Sequence, residues 1–284
     1  MSEFIIIANN TCDLPEEMLR TLDLTILPLG INIGEESYKK IGAKEFYQKL
    51  REGAMPTTNA ANMGEYIDLY ESALQAGKDV LNLVFSSGLS MTYNAAMMAA
   101  QELKDKYPDR KIYVVDTQAA SMGEGLLIRG ASELRAAGKS IEEVRDWVEA
   151  TKGKVLHFFT VNDLGHLKRG GRISAAQALL GGMLGVKPVL RVNETGHLVP
   201  VEKVRGRQAA LQKILSIFKE KSKDIANQTI YISHGDCLDE AEWLAEQFKT
   251  QLGVKDVVIS FLGPVIGSHT GVGIIAVFGI GDGR

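Results

Sequence analysis

Cysteine and histidine are scarce in this chain of 284 residues, and their spacing removes several chemistries from consideration. The two cysteines, Cys12 and Cys237, lie far apart and outside any C-x-x-C pattern. That points to a reduced, cytoplasmic protein rather than a disulfide scaffold. The five histidines form no H-x-H or H-x-x-x-H pair, so no zinc site is expected. Positive charge is not in excess either. The chain carries 32 basic residues against 35 acidic ones, a net charge of −3, which leaves no field to hold nucleic acid. Long apolar runs are missing too. No stretch reaches the ~20 residues that cross a bilayer, so no stable membrane insertion is expected and at most transient contact. The run Ile5-Ile6-Ile7 is too short, and lacks the basic flank, for a signal peptide. What remains is ordinary globular composition, 45% hydrophobic and 24% charged, at a length that suits two domains or one large one.

The first half alternates strand and helix patterns. Phe4 to Ala8 is a short continuous apolar run of the kind buried on both faces of a sheet, Val80 to Phe85 is an apolar strand, and Leu24 to Leu29 and Lys111 to Val115 also read as strands. Between them Ala43 to Arg51, Met63 to Ala76, Thr92 to Lys106 and Gly123 to Ala137 carry helical periodicity. Asp13 is placed to cap a helix with Pro15, Glu16 and Glu17 in its first turn. Ser140 and Glu143 form a capping box for a helix to about Thr151. This alternation predicts a mostly parallel sheet with helices on both faces. Ligands of such sheets sit beyond the carboxyl ends of the strands. The loops there, Asn9–Asp13, Thr57–Asn62, Ser86–Met91 and Asp116–Gly123, are rich in Ser, Thr, Asn or Gly.

After residue 154 the rhythm changes. Val155 to Val161 reads as a strand, and Lys187–Asn193 and His197–Val204 flank a hairpin turn at Glu194-Thr195-Gly196. Arg207 to Lys221 and Glu240 to Leu252 are helical, while Thr229–His234, Val257–Leu262 and Gly273–Phe278 are strands. Gly263 to Gly271 reads as a loop. The expected architecture is therefore α/β in two domains, 1–154 with a parallel sheet and 155–284 with a mixed sheet, and a ligand tunnel between them.

One stretch, Phe159 to Leu190, stands apart. It runs from an apolar strand into a cationic corner, Lys168-Arg169-Gly170-Gly171-Arg172, and from Ile173 to Val186 carries no charge. A guanidinium beside buried apolar surface suits a ligand with an anionic head and an apolar body. A core helix behind a solvated basic turn is the competing interpretation.

Three motifs are approached and missed. Gly271-Val272-Gly273-Ile274-Ile275-Ala276 fits G-x-G-x-x-A, but β-branched residues continue into Val277, where a dinucleotide site needs a helix. Gly181 to Lys187 resembles a phosphate loop, with wrong spacing and with Pro188 where Ser or Thr holds magnesium. Gly88-Leu89-Ser90-Met91-Thr92 is near the G-x-S-x-G elbow, with Asp116 and His269 following in hydrolase order. A stand-alone serine esterase using Ser90 is thus one reading, and a serine that caps the next helix is the other.

Five segments in order and spacing resemble the DegV family over nearly the whole chain. They are Asn9-Asn10-Thr11-Cys12-Asp13-Leu14-Pro15, Pro56-Thr57-Thr58, Ser86 to Tyr93, Asp163-Leu164 through Gly170-Gly171-Arg172-Ile173 to Lys187-Pro188, and Gly267-Ser268-His269-Thr270-Gly271. The resemblance implies two α/β domains enclosing a long-chain fatty acid, no cofactor beyond that ligand, and no catalysis by the chain alone. It implies an acyl-carrying subunit whose bound carboxylate is phosphorylated by a separate ATP-binding fatty acid kinase. A lipid sensor without a kinase would share the pocket. By motif, Thr58 and Ser90 donate hydroxyl hydrogen bonds to the carboxylate, the Met91 N–H adds a third, and Arg172, His269 and Thr270 line the head-group end. Without the resemblance, Thr58 is a loop hydroxyl and His269 a structural histidine. Asn9, Cys12, Asn59 and Met91 depart from the usual family residues. The segment Ala175–Val186 is the expected tunnel lining. Lys203, Arg205 and Arg207 form a basic cluster that either docks the kinase or is a solvated face.

Overall fold

The computed structural model describes residues 3–173 and 185–284. Its first half runs β1 (Phe4–Asn9), α1 (Glu16–Thr21), β2 (Thr25–Leu27), β3 (Gly30–Ile33), β4 (Glu36–Tyr38), α2 (Ala43–Arg51), β5 (Thr57–Asn59), α3 (Met63–Gln75), β6 (Asp79–Val84), α4 (Thr92–Lys106), β7 (Ile112–Asp116), α5 (Met122–Ala136) and α6 (Ile141–Lys152). Continuous apolar strands are what a doubly covered parallel sheet requires. β6, buried along its full length, sits inside such a sheet of order β2-β1-β6-β7, with all three pairings parallel. The expected capping box opens α6: Ser140 N–H donates to Glu143 at 2.8 Å and Glu143 N–H donates to the Ser140 hydroxyl at 3.2 Å.

The second half runs β8 (Val155–Thr160), α7 (Gly165–Arg169), β9 (Val186–Val192), β10 (Leu198–Arg205), α8 (Arg207–Lys221), β11 (Thr229–His234), α9 (Leu238–Leu252), β12 (Asp256–Phe261), α10 (Pro264–Thr270) and β13 (Ile275–Ile280). The six-stranded sheet has the order β10-β9-β8-β13-β11-β12. It is mixed, as expected: β11 and β12 are parallel, while β13 runs against both β8 and β11. The hairpin at 194–196 is present, with β10 antiparallel to β9.

α5 lies between the two sheets, against β1 on one side and β8, β11 and β13 on the other. Its Met122 and Ile128 share a core cluster with Leu81 and Leu83 of β6 and with Ala276 and Phe278 of β13. Each such side chain contributes about 1.5–3 kcal/mol by burial, so this layer holds the two sheets together. A second cluster packs α8 and α9 on the outer face of the mixed sheet, and a third packs α3 and α4 on the parallel one.

Four expectations are corrected. Asp13 does not cap α1. Pro15 precedes that helix without a side-chain cap bond, and Asp13 instead turns inward with φ 51° and is buried. The segment Thr57–Asn62 is not all loop, because Thr57–Asn59 pairs with β3, which also pairs with β4, in a small antiparallel sheet. Strands of three or four residues are too short to show a period. Gly263–Gly271 is not a loop either, since Pro264 starts the helix α10 at a position where its missing N–H costs nothing. The glycine that disguises this helix is required by contact: a Cβ on Gly267 would lie 2.7 Å from the Phe46 ring and 2.8 Å from the Tyr47 hydroxyl. Finally, Arg207 is not a free member of a basic cluster. It forms a two-point pair with Glu240, at 3.0 and 2.8 Å, and donates to Gly273 O at 2.7 Å. The Gly271-Val272-Gly273 match leads into β13, so it is no dinucleotide fingerprint. The expected tunnel lining at 175–186 and the loose phosphate-loop match at 181–187 lie, except for their last residues, outside the described residues.

Candidate functional site

A cavity of about 290 Å³ opens between the two sheets. All six residues singled out by motif, Thr58, Ser90, Met91, Arg172, His269 and Thr270, line it. They arrive from four directions. β5 delivers Thr58, the β6–α4 turn delivers Ser90 and Met91, the chain after α7 delivers Arg172, and α10 delivers His269 and Thr270. Three of the four polar loops of the first half reach the cavity, through Asn59 and Ala60, Leu89, and Ala120 and Ser121. The loop Asn9–Asp13 does not contribute lining. The remaining wall is mostly apolar, with Leu29, Phe85, Phe159, Leu198, Val265 and Ala276 among its members.

The polar end is tightly arranged. Thr58 Oγ1 and His269 Nε2 share a hydrogen bond of 2.8 Å across 211 positions of sequence. Burial, then the Arg172 guanidinium, then His166 push the His269 pKa down to about 4, so the ring is neutral at pH 7. Its Nδ1 is buried without a partner and faces Gly170, where a Cβ would come within 2.1 Å of it. Arg172 donates from Nε to Leu89 O at 3.0 Å and from Nη1 to Gly170 O. Two of its five donors therefore fix it to backbone, and the rest of the fork remains for other work. Ser90 Oγ lies 2.8 Å from Thr92 Oγ1 and accepts the Thr92 N–H at 3.2 Å, so it ties down the first residue of α4, although Met91 and not Ser90 occupies the N-cap position. Thr270 spends its hydroxyl proton on Ile266 O, one helical turn back, at 3.1 Å. The Met91 side chain is 66% exposed at the rim.

These pairings leave no Ser–His–Asp arrangement. Ser90 pairs with Thr92 and His269 with Thr58. Asp116 is taken by the Ser87 hydroxyl at 2.5 Å and by the N–H groups of Ser87 and Gln118 at 3.1 and 2.9 Å. A nucleophile needs its base within hydrogen-bond reach, so the esterase reading loses its geometry.

Two features were invisible in the sequence. His157 of β8 lines the cavity, buried against the Phe278 ring at 4.5 Å between centroids. Burial, with the Arg284 charge behind it, holds its pKa well below the usual range. It is a neutral member of an apolar wall, and a lone histidine in Leu156-His157-Phe158-Phe159 carries no signal of that. Next to the cavity lies a buried acidic pair. Glu124 accepts the Thr11 hydroxyl at 2.8 Å, and its other oxygen has no partner. Asp13 has neither oxygen hydrogen-bonded. The Ser121 hydroxyl and Gly263 N–H approach it without forming bonds, and burial pushes its pKa up to about 7. Among the described residues no group of three or more His, Cys, Asp or Glu could hold a metal.

Comparison with known proteins places this geometry. The sequence profile of the DegV family, described as uncharacterised proteins, matches residues 3–282. A DegV domain-containing protein of Clostridium perfringens is 44% identical over 290 residues, covering 99% of each chain. A DegV family protein of Thermus thermophilus, solved as a fatty acid binder, superposes with a TM-score of 0.90 at 34% identity, covering 99% of this chain and all of the other. A stearic-acid-binding protein of Eubacterium ventriosum superposes with a TM-score of 0.88 at 28% identity over 98% of both chains.

Proposed function

The chain belongs to the DegV family, and from that premise we propose that it binds one long-chain fatty acid between its two domains. It presents the carboxylate to a separate ATP-dependent fatty acid kinase and holds the resulting acyl phosphate. The observation that carries the reading is the polarity of the cavity. Hydroxyls, a neutral imidazole and a guanidinium gather at one end, and aromatic and aliphatic side chains line the rest. The domains are 1–154 and 155–284, and the protein works in the cytoplasm.

The physics divides the labour. Burying a tail of about 15 methylenes at ~0.8 kcal/mol each offers roughly 12 kcal/mol before ordering costs. Each hydrogen bond to the carboxylate adds ~1.5–3 kcal/mol. The tail therefore sets affinity and chain selectivity, and the polar end sets orientation. His269 as the Nε2–H tautomer donates to Thr58 Oγ1 and leaves the Thr58 hydroxyl proton for the ligand. Ser90 does likewise when Thr92 donates to it. A closed apolar site also keeps water from an acyl phosphate.

Lipid extraction from protein purified out of bacteria tests the binding. One long-chain acid per chain is the expected result, and protein that carries no lipid and takes up neither palmitate nor oleate overturns it. Affinity capture tests the second part: recovery of an ATP-binding kinase is expected, and its repeated absence removes the kinase role while fatty acid binding stands.

A further inference from the structure

The register of the mixed sheet gives the cavity a direction. Arg172 follows the carboxyl end of β8, and His269 precedes the amino end of β13. Both therefore stand at the edge where Thr160 pairs with Ile275. Phe159 and Ala276 pair one step in from that edge, and both line the cavity. Two residues further along β8, on the same face of the sheet, His157 pairs with Phe278 and lines the cavity too. It is three residues in from Thr160, which at ~3.3 Å per residue is about 10 Å from the head-group edge. The imidazole thus stands on the tail's side of the cavity.

Its setting there is apolar. The ring lies between Phe278 and Phe159, whose ring centroid is 6.1 Å away. Nδ1 is buried and, among the described residues, has no hydrogen-bond partner. It faces Gly123 of α5, where a Cβ would lie 3.5 Å from it, so no side chain reaches it from that helix. Ser121, the other polar lining residue on this side, already has a partner in the Ser233 hydroxyl at 2.8 Å. His157 is held neutral by burial and by the Arg284 charge, and a neutral ring carries one N–H donor and one acceptor lone pair. A saturated tail can use neither. Phenylalanine would build the same wall without desolvating a ring nitrogen, so the histidine costs stability that a plain alkyl ligand does not return.

We propose that His157 recognises an oxygen on the ligand's tail, so that the ligands of this cavity include long-chain acids hydroxylated in the inner half of the chain. The proposal rests on the fatty-acid reading above. A hydroxyl suits a neutral imidazole in either sense, donating to the lone pair or accepting the N–H. An ordered water could satisfy the ring as well, and a ligand hydroxyl gains over it by supplying the same bond from a chain that is already bound.

The test uses delipidated protein, stearate, and a series of monohydroxystearates whose hydroxyl is stepped from beside the carboxyl to the end of the chain. Calorimetric titration gives the affinity of each relative to stearate, and this ratio within one protein cancels any general change in stability. In the wild type one or two neighbouring positions in the inner half should bind about tenfold tighter than stearate, the value of one hydrogen bond, and positions beside the carboxyl should show no gain. In His157→Phe the ratio at the best position should fall to near unity, and His157→Gln should keep part of the gain. No favoured position in the wild type, or a gain that survives His157→Phe, overturns the proposal. The scan along the chain in the wild type decides the matter even where a variant does not fold. A wild type that binds stearate and none of the hydroxylated acids overturns this inference and leaves the fatty-acid reading intact, whereas a wild type that binds no member of the series removes both.

Discussion

Replacing Gly170 with alanine probes the polar end through a single added carbon. The backbone there is ordinary, with φ −73°, so alanine brings no conformational strain. The Cβ would, however, lie 2.1 Å from Nδ1 of His269, 3.1 Å from Cε1 and 3.2 Å from Cγ. The ring must swing away, and its 2.8 Å bond to Thr58 goes with it. Overpacking of this kind costs ~1–3 kcal/mol, and the lost hydrogen bond costs about 1 kcal/mol more. Urea unfolding should therefore show Gly170→Ala destabilised by roughly 2–4 kcal/mol in sum. Palmitate affinity should fall about tenfold, because Thr58 loses the partner that orients it; that fold-change is ~1.4 kcal/mol. Gly171→Ala is the control. It has φ 71° and open space around the new carbon, so it should lose ~1–2 kcal/mol of stability to backbone strain and no affinity. The cause is isolated by a double mutant: in a His269→Ala background the ring is gone, and Gly170→Ala should become nearly silent. Wild-type stability and affinity in Gly170→Ala, or an undiminished effect without the ring, would refute the reasoning.

Three further outcomes follow from the same geometry. Asp13→Asn should change the pH dependence of stability. Burial pushes the folded carboxyl up to about 7 from its ordinary value of 3.8, so between those values the folded state binds the extra proton and stability falls as pH rises. The variant lacks that slope, and asparagine tolerates the positive φ. Its unfolding free energy relative to wild type should improve from pH 4 to pH 8 by up to about 4 kcal/mol, and an unchanged difference at the two pH values contradicts the assignment. Ser90→Ala should weaken palmitate binding about tenfold or more, from the loss of one charged hydrogen bond. Neither it nor the wild type should hydrolyse an activated ester, and turnover that vanishes in the variant would restore the hydrolase reading. Ala276→Leu adds bulk to the cavity wall and should shift preference toward shorter acids in a chain-length series; an unchanged profile removes Ala276 from the tail's path.

The sequence disclosed those parts of the fold that repeat a local rule over enough residues. β6 and β8 are mostly apolar runs, interrupted only by Asp79 and Asn82 in the one and His157 and Thr160 in the other, and α3 holds a helical period through Tyr66 and Tyr70, so their bounds were readable within a residue or two. β3, β4 and β5 are too short for any period, and their pairing is a tertiary event. α10 was masked by Gly267, which is required for contact with Phe46 and Tyr47 rather than for flexibility. At the site, motif placed six residues around one cavity, but it could not say how each is engaged. The ties of Arg172 to Leu89 O and Gly170 O, and of Thr270 to Ile266 O, belong to folded geometry alone. The charge state of Asp13 is likewise a product of burial, which no local pattern of residues encodes.

α10 comes from the second half of the chain yet packs on α2, β3 and β5 of the first. During synthesis, then, the pocket has no floor while the ribosome is still making β12. Leu29 and Thr58 emerge early and wait for His269, Ile274 and Ala276 to arrive. On the fatty-acid reading, a nascent chain cannot sequester lipid partway through translation, and a proteolytic nick that released the segment from Gly263 onward would empty the protein by removing both the imidazole at the polar end and a central strand of the larger sheet.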